Sequence, residues 1–431
     1  MTDIDLHGDG ADERVLVISA DCHAGLPNAE YRDWLDPALH AAFDESLDAR
    51  ERQRQMALEG FLNAEFAAEW ANDNEEGLRG SWDAGRRDKE LDADGVAGEV
   101  IFPDGDAVSS GASAPFGAGL SQSGETPPDH LLGGAVAHNR WLAELCATSP
   151  LRRRGVAIVP IAFVDVGVSV AEIQRAYDSG LRGGILIPPM WQPGLPYHDH
   201  AYDPIWELCA ALDLPVHVHS GPADKASYGP HIGIYTAEVR FWSARPLWFL
   251  IWSGAFERFP TLKFVVTECG AFWVNDLLWR MDSVFDREHG SKKLGDQLTA
   301  NLSMRPSEYF DRNCFIGASN THRRELERRY EIGVGNLMWG NDFPHPEGTW
   351  PHTAQFLRHA FCDIPTDETR AMLGGNAAAV YGFDPAALAP LVERIGPTLA
   401  DLGHTTDRDL SRWNALRDAG RPWLTEAGAY L

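Results

Sequence analysis

The chain has 431 residues, 44% of them hydrophobic, enough to bury one large core, and a barrel with insertions reaches this length as a single domain. A formal charge of -26, from 63 acidic against 37 basic side chains, repels phosphate backbones and anionic surfaces, so neither nucleic acid nor membrane is an expected partner. No apolar run approaches the roughly 20 residues of a spanning helix, the start lacks the regions of a signal peptide, and six scattered cysteines read as reduced thiols, so a cytoplasmic location is expected.

Short apolar, β-branched runs recur along the chain: VLVISA (15–20), GEVIFP (98–103), GVAIVPI (155–161), GGILIPP (183–189), PVHVHSG (215–221), KFVVTE (263–268), NCFIGAS (313–319) and LMWGND (337–342). Such near-continuous runs suit parallel strands buried on both faces, and most are separated by helix-compatible segments such as 165–180 and 202–213. Eight strand–helix alternations predict an α/β fold, a (β/α)8 TIM barrel. An open doubly wound sheet is the competing arrangement, but no GxGxxG follows the first run. Segment 28–90 is too long for a plain loop and predicts a helical insertion covering the barrel mouth. The Gly-, Ser- and Pro-rich stretch 104–130 reads as a mobile loop or lid. The barrel is expected over 1–383, with 384–431 as a helical C-terminal extension of the same domain.

Candidate chemistry gathers at strand ends. Asp21 and His23 stand two apart after the first run, so they share a face, although DxH alone fits a solvated Asp beside a structural His better. His217 and His219 repeat that spacing on a run that otherwise reads as buried, where one ring can be a ligand and the other a hydrogen-bonded wall residue. Glu268 closes the sixth run as a ligand, a general base or part of a salt bridge. Asp342 and His345 follow the eighth run, where they could also be a helix cap and a solvated ring. Together they supply the converging imidazoles and carboxylates that a metal site needs.

VISADCH, GGILIPP, PVHVHSG, FPTLKFVVTECG, MWGNDFPHPEGTWP and MLGGNAAAVYGF together resemble the amidohydrolase superfamily. The resemblance runs through the chain and is to the amidohydrolase-related branch that includes aminocarboxymuconate semialdehyde decarboxylase and aromatic acid decarboxylases. It implies Asp21 and His23 as the first-strand ligand pair, His219 as the fifth-strand ligand, and Asp342 as a ligand that also handles a proton. Two departures stand out: Glu268 occupies the place of a sixth-strand His, and no Lys follows GGILIPPMW to serve as a carbamylated bridge.

The expected metal set is Asp21, His23, His217, His219, Glu268, Asp342 and His345, with Asp342, Glu268 and His217 as catalytic groups. The cofactor would be one or two divalent ions (zinc, manganese or iron). With one ion, hydrolysis by activated water or decarboxylation of a bound acid is expected. With two irons, a diiron oxygenase hydroxylating a hydrophobic substrate is the alternative, and a non-catalytic binding barrel is a third reading. Trp191, Trp242, Trp248, Trp252, Trp273, Trp339 and Trp350 could line an apolar pocket for a ring-containing small molecule, or fill the helix–barrel interface. Arg240 or Arg140 could pair with a substrate carboxylate. A homodimer is the expected assembly.

Overall fold

The computed structural model describes residues 10–421 except 61–62, 107–109, 222–227, 229–230, 292–295, 297–299 and 406–407. Eight strands run in chain order around one sheet: β1 (Ile18–His23), β2 (Gly98–Phe102), β3 (Arg153–Ile158), β4 (Gly184–Leu186), β5 (Val216–His219), β6 (Phe264–Thr267), β7 (Cys314–Ser319) and β8 (Leu337–Gly340). Every neighbouring pair from β1 to β8 is parallel. The seam between β8 and β1 is drawn together at its upper end, where the Asp342 N–H donates to the Asp21 carbonyl at 2.8 Å and the His23 N–H to that of Phe343 at 2.6 Å. The expected (β/α)8 barrel is therefore the fold.

Two apolar layers hold it. Inside the barrel, Ile18, Val100, Phe102, Val156, Leu186, Val265 and Met338 pack together, and Val380, Tyr381 and Phe383 join them from below. Outside it, the opposite faces of the strands meet the surrounding helices. Each large apolar side chain so buried contributes roughly 1.5–3 kcal/mol.

Strand boundaries depart from expectation where polar groups have found partners. β1 begins at Ile18, not Val15, because the Val15 N–H is taken by the Pro397 carbonyl at 2.9 Å. It runs on through Asp21 to His23, whose ladder partner is Phe102. β3 begins two residues early because its arginines are absorbed: Arg153 bonds Glu99 of β2, and Arg154 donates to the Tyr381 and Gly382 carbonyls.

The segment after β1 is helical at His40–Gly60, Ala64–Asp73 and Ala84–Ala93. It docks on the β8–β1 seam: Leu78 packs with Cys22, Phe343 and Trp350, and Trp350 Nε1 donates to Glu90 at 3.0 Å. The described part of 104–130 is tied down rather than free. The Asp104 carboxylate accepts from the Ala114 and Leu120 N–H groups at 2.7 Å each, and Ala114 and Ala118 pack against Leu131, Ala135 and Ile158. Helix Val166–Asp178 is capped by Asp165, and the tail carries helices Pro385–Ile395 and Ser411–Ala419. The last ten residues of the tail, 422–431, lie outside the described residues. No described helix is long and apolar enough to cross a membrane.

Candidate metal centre

β1 delivers Asp21 and His23 to the inside of the barrel, both fully buried, and β5 ends on the buried His219. Asp342 follows β8 and Glu268 follows β6, each with a positive φ (59° and 55°) that an L-residue rarely adopts. This turn of the backbone places their carboxylates at the C-terminal rim, and such conformations concentrate at functional sites.

Three imidazoles are oriented from behind by backbone carbonyls. His23 Nδ1 lies 2.8 Å from the Pro103 oxygen, His219 Nδ1 2.8 Å from that of Ser220, and His345 Nε2 3.1 Å from that of Asp104. A carbonyl only accepts, so each of these nitrogens carries the hydrogen and the other nitrogen of a neutral ring is a bare lone pair. Those lone pairs face carboxylates. His23 Nε2 is 3.4 Å from Asp21 Oδ1 and 3.2 Å from Asp342 Oδ1. His219 Nε2 is 3.2 Å from Asp21 Oδ1, and His345 Nδ1 is 3.0 Å from Asp342 Oδ1.

Acceptor against acceptor at this range is repulsive unless positive charge stands between them, either as protons on the rings or as a cation. His23 Nε2 and Asp342 Oδ1 are buried without a hydrogen-bond partner, which suits them to a cation. The titration shifts follow. Against the burial that opposes ionisation, His219 and His23 hold Asp21 far below the usual carboxylate range, and His345 and His23 hold Asp342 down. Burial works against the charged rings as well, yet the carboxylates raise His23, His219 and His345 above the ordinary histidine value. The donor atoms fall into two groups, Asp21 with His23 and His219, and His23 with Asp342 and His345, each within 4.8 Å and sharing His23. Oxygen and imidazole donors whose rings are held from behind by backbone carbonyls are the chemistry of a divalent-ion site, so the residues fit such an ion.

Two expected members stand apart. His217 lies deeper in the barrel: its Nε2 meets the Gly183 carbonyl at 3.0 Å, and its ring stacks on Tyr381 at 5.7 Å and meets Phe102 edge-on at 5.1 Å. Burial pushes it down to about 3, so it is neutral, and its reach excludes it from both donor groups. His217, expected as a catalytic group and ligand, stands outside both donor groups on the interior wall, because a step of two residues along a strand also moves one layer down the barrel. Glu268 reaches only the rear nitrogen of His219, Oε2 to Nδ1 at 3.4 Å, and burial, followed by the charge of Asp342, raises it to about 8.

Sequence reasoning missed the groups that hold the cluster. Ser319, ending β7, donates its hydroxyl to Asp21 Oδ2. Asn341 Oδ1 accepts from Ser19 Oγ at 3.0 Å and faces Cys22 Sγ at 3.1 Å. Arg87, from the insertion, donates to the His23 carbonyl at 2.9 Å. The signal for Ser319 was available, as the polar end of the one late strand run that offered no candidate.

Most of the tryptophans fill the helix–barrel layer: Trp191, Trp248, Trp252, Trp273 and Trp339 pack there, and Trp350 packs on the insertion. Trp242 donates to the Tyr228 hydroxyl at 2.9 Å. Arg140 sits on helix Pro128–Ala147 and contacts the Trp34 carbonyl at 3.4 Å, whereas Arg240 approaches Gly270, two residues beyond Glu268.

Eight parallel strands with imidazoles and carboxylates meeting at the C-terminal rim are the frame of a barrel enzyme. The amidohydrolase family model matches residues 20–383, and the chain belongs to that family. Among its relatives is the gamma-resorcylate decarboxylase of Polaromonas sp. (strain JS666), 26% identical over 227 residues, a match covering 48% of this chain and 64% of that protein. The fold is shared with the 5-carboxyvanillate decarboxylase of Sphingomonas paucimobilis, at TM-score 0.59 and 21% identity over 86% of this chain and all of that one. It is shared also with the 5-carboxyvanillate decarboxylase of Novosphingobium aromaticivorans, solved with manganese and 4-hydroxy-3-methoxy-5-nitrobenzoic acid, at TM-score 0.58 and 18% identity over 89% of this chain and 99% of that one.

Proposed function

We propose that this enzyme is a metal-dependent decarboxylase of an aromatic acid. The observation that carries the reading is the ring of imidazole lone pairs facing Asp21 and Asp342, which calls for a cation, in a chain whose relatives include aromatic acid decarboxylases. Asp21, His23, His219 and Asp342 would hold one divalent ion, with manganese suggested by the Novosphingobium structure. We favour a single ion because both donor groups share His23, whose Nε2 faces Asp21 and Asp342 alike. When bound, the ion supplies Lewis acidity that orients an acid's oxygens and offsets their charge.

The chain's own residues account for the remainder. Loss of CO2 replaces a carbon–carboxylate bond with a carbon–hydrogen bond, so the ring carbon takes up one proton for each CO2 released. Glu268 is placed to hold that proton on its carboxyl, since it stands partly exposed at the rim beside His219. The Asp342 carboxylate, 3.0 Å from His345 Nδ1, is placed to exchange a proton with that ring. Arg240 offers a positive charge near Gly270 for an anionic substrate group.

The test is CO2 release from gamma-resorcylate and 5-carboxyvanillate by manganese-loaded protein, alongside a panel of simple esters and lactones. CO2 release abolished by Asp342→Ala supports the reading. Ester or lactone hydrolysis without CO2 release would overturn it in favour of activated water.

A further inference from the structure

At the opposite end of the barrel from the histidine cluster, where β3, β4 and β5 begin, lies a cavity of about 510 Å³. Its wall combines Arg154, Arg182 and Tyr177 with apolar Ala143, Leu212 and Leu214. Other charged groups there are matched: Arg153 by Glu99 and Asp88, and Asp213 by Lys263 at 2.8 Å. Arg154 and Arg182 have no carboxylate partner among the described residues. Burial first, and then repulsion from Arg182, lowers the pKa of Arg154. Two guanidiniums without a carboxylate partner line this one cavity in a chain of net charge -26, Arg154 held by the Tyr381, Pro150, Arg153 and Gly382 carbonyls and so offering charge.

Arg182 is also held in place. Its guanidinium lies 3.7 Å from the Tyr177 ring centroid, and Nη1 donates to the Tyr177 and Leu181 carbonyls. These bonds leave Nε and Nη2 without a protein acceptor among the described residues. Nε–H and Nη2–H are the parallel pair that grips two oxygens of one anion.

We propose that this cavity binds a small organic oxyanion, a carboxylate or phosphate on a compact apolar body, with Arg182 gripping two oxygens and Arg154 supplying the second positive charge. The site is independent of the metal centre and of the reaction assigned to it.

Calorimetric titration of the full chain, metal-loaded, with benzoate and separately with inorganic phosphate tests this. Benzoate can also enter the metal centre, so the quantity read is the binding that persists in His219→Ala and is lost in Arg182→Gln. Saturable binding of either probe that weakens about tenfold or more in Arg182→Gln supports the site. Benzoate alone makes the apolar wall part of recognition, and phosphate alone makes the guanidiniums sufficient. Arg182→Lys, which keeps the charge without the fork, should weaken binding less, and it carries the same test should thermal melting show Arg182→Gln unfolded. Binding of neither probe, or binding unchanged by both substitutions, would overturn the proposal.

Discussion

Two buried sets of charged side chains flank β1 and β2, and they are built on opposite principles. In one, Arg87 and Arg153 close on Glu99: Arg87 Nη2 to Glu99 Oε2 is 2.6 Å, Arg153 Nε to Glu99 Oε1 is 3.2 Å, and Asp88 takes the remaining charge of Arg153. Donors meet acceptors throughout, and the set is complete as it stands. In the other, His23, His219 and His345 turn lone pairs toward Asp21 and Asp342, so acceptors meet acceptors. Burial of charge is common to both and says little about role. Incompleteness is what distinguishes the second, because it needs added positive charge, as protons or as a cation.

His219→Ala or Asp342→Ala should remove metal uptake and lower turnover by about a thousandfold or more, read by metal analysis and CO2 release, since each deletes a proposed ligand of the only cation. Full occupancy in both variants would refute the ligand assignment. Glu99→Ala should leave two buried guanidiniums facing each other and destabilise the fold by about 3–5 kcal/mol in denaturant titration, while the folded fraction still takes up metal. A loss of metal with unchanged stability would mean that the two sets had been assigned the wrong way round. Ser319→Ala should keep the fold and weaken metal binding by roughly 10–100-fold, because it frees Asp21 Oδ2 without touching a ligand atom. The mildest expectation concerns protons. The neighbouring carboxylates raise His23 and His219 above the ordinary histidine value, so a cation competes with protons for their lone pairs. Adding manganese to chelator-stripped protein in weak buffer should therefore release protons, and metal affinity should fall as pH falls.

Much of this was legible in the sequence, and the reasons are local. Parallel strands buried on both faces leave continuous apolar runs, so all eight were found, and the polar residues that end them marked the rim. What escaped depended on partners distant in the chain. Val15 belongs to the tail through Pro397 and not to β1, which no reading of VLVISA reveals. His217 and His219 share a face, and only the depth of each ring inside the barrel separates a wall residue from a donor. The Gly- and Ser-rich stretch after β2 looked loose, yet one carboxylate, Asp104, gathers its described part through two N–H groups. Arg87 and Ser319 were hidden for a related reason: neither lies near its partner in sequence, and neither residue type announces a role.

A single cation is proposed to complete the cluster around the His23 lone pair. Titrating chelator-stripped protein with manganese, for the wild type and for His23→Ala, tests it most directly. One ion per chain in the wild type and none in the variant is the expected result; two ions per chain, or equal uptake by both proteins, would contradict it.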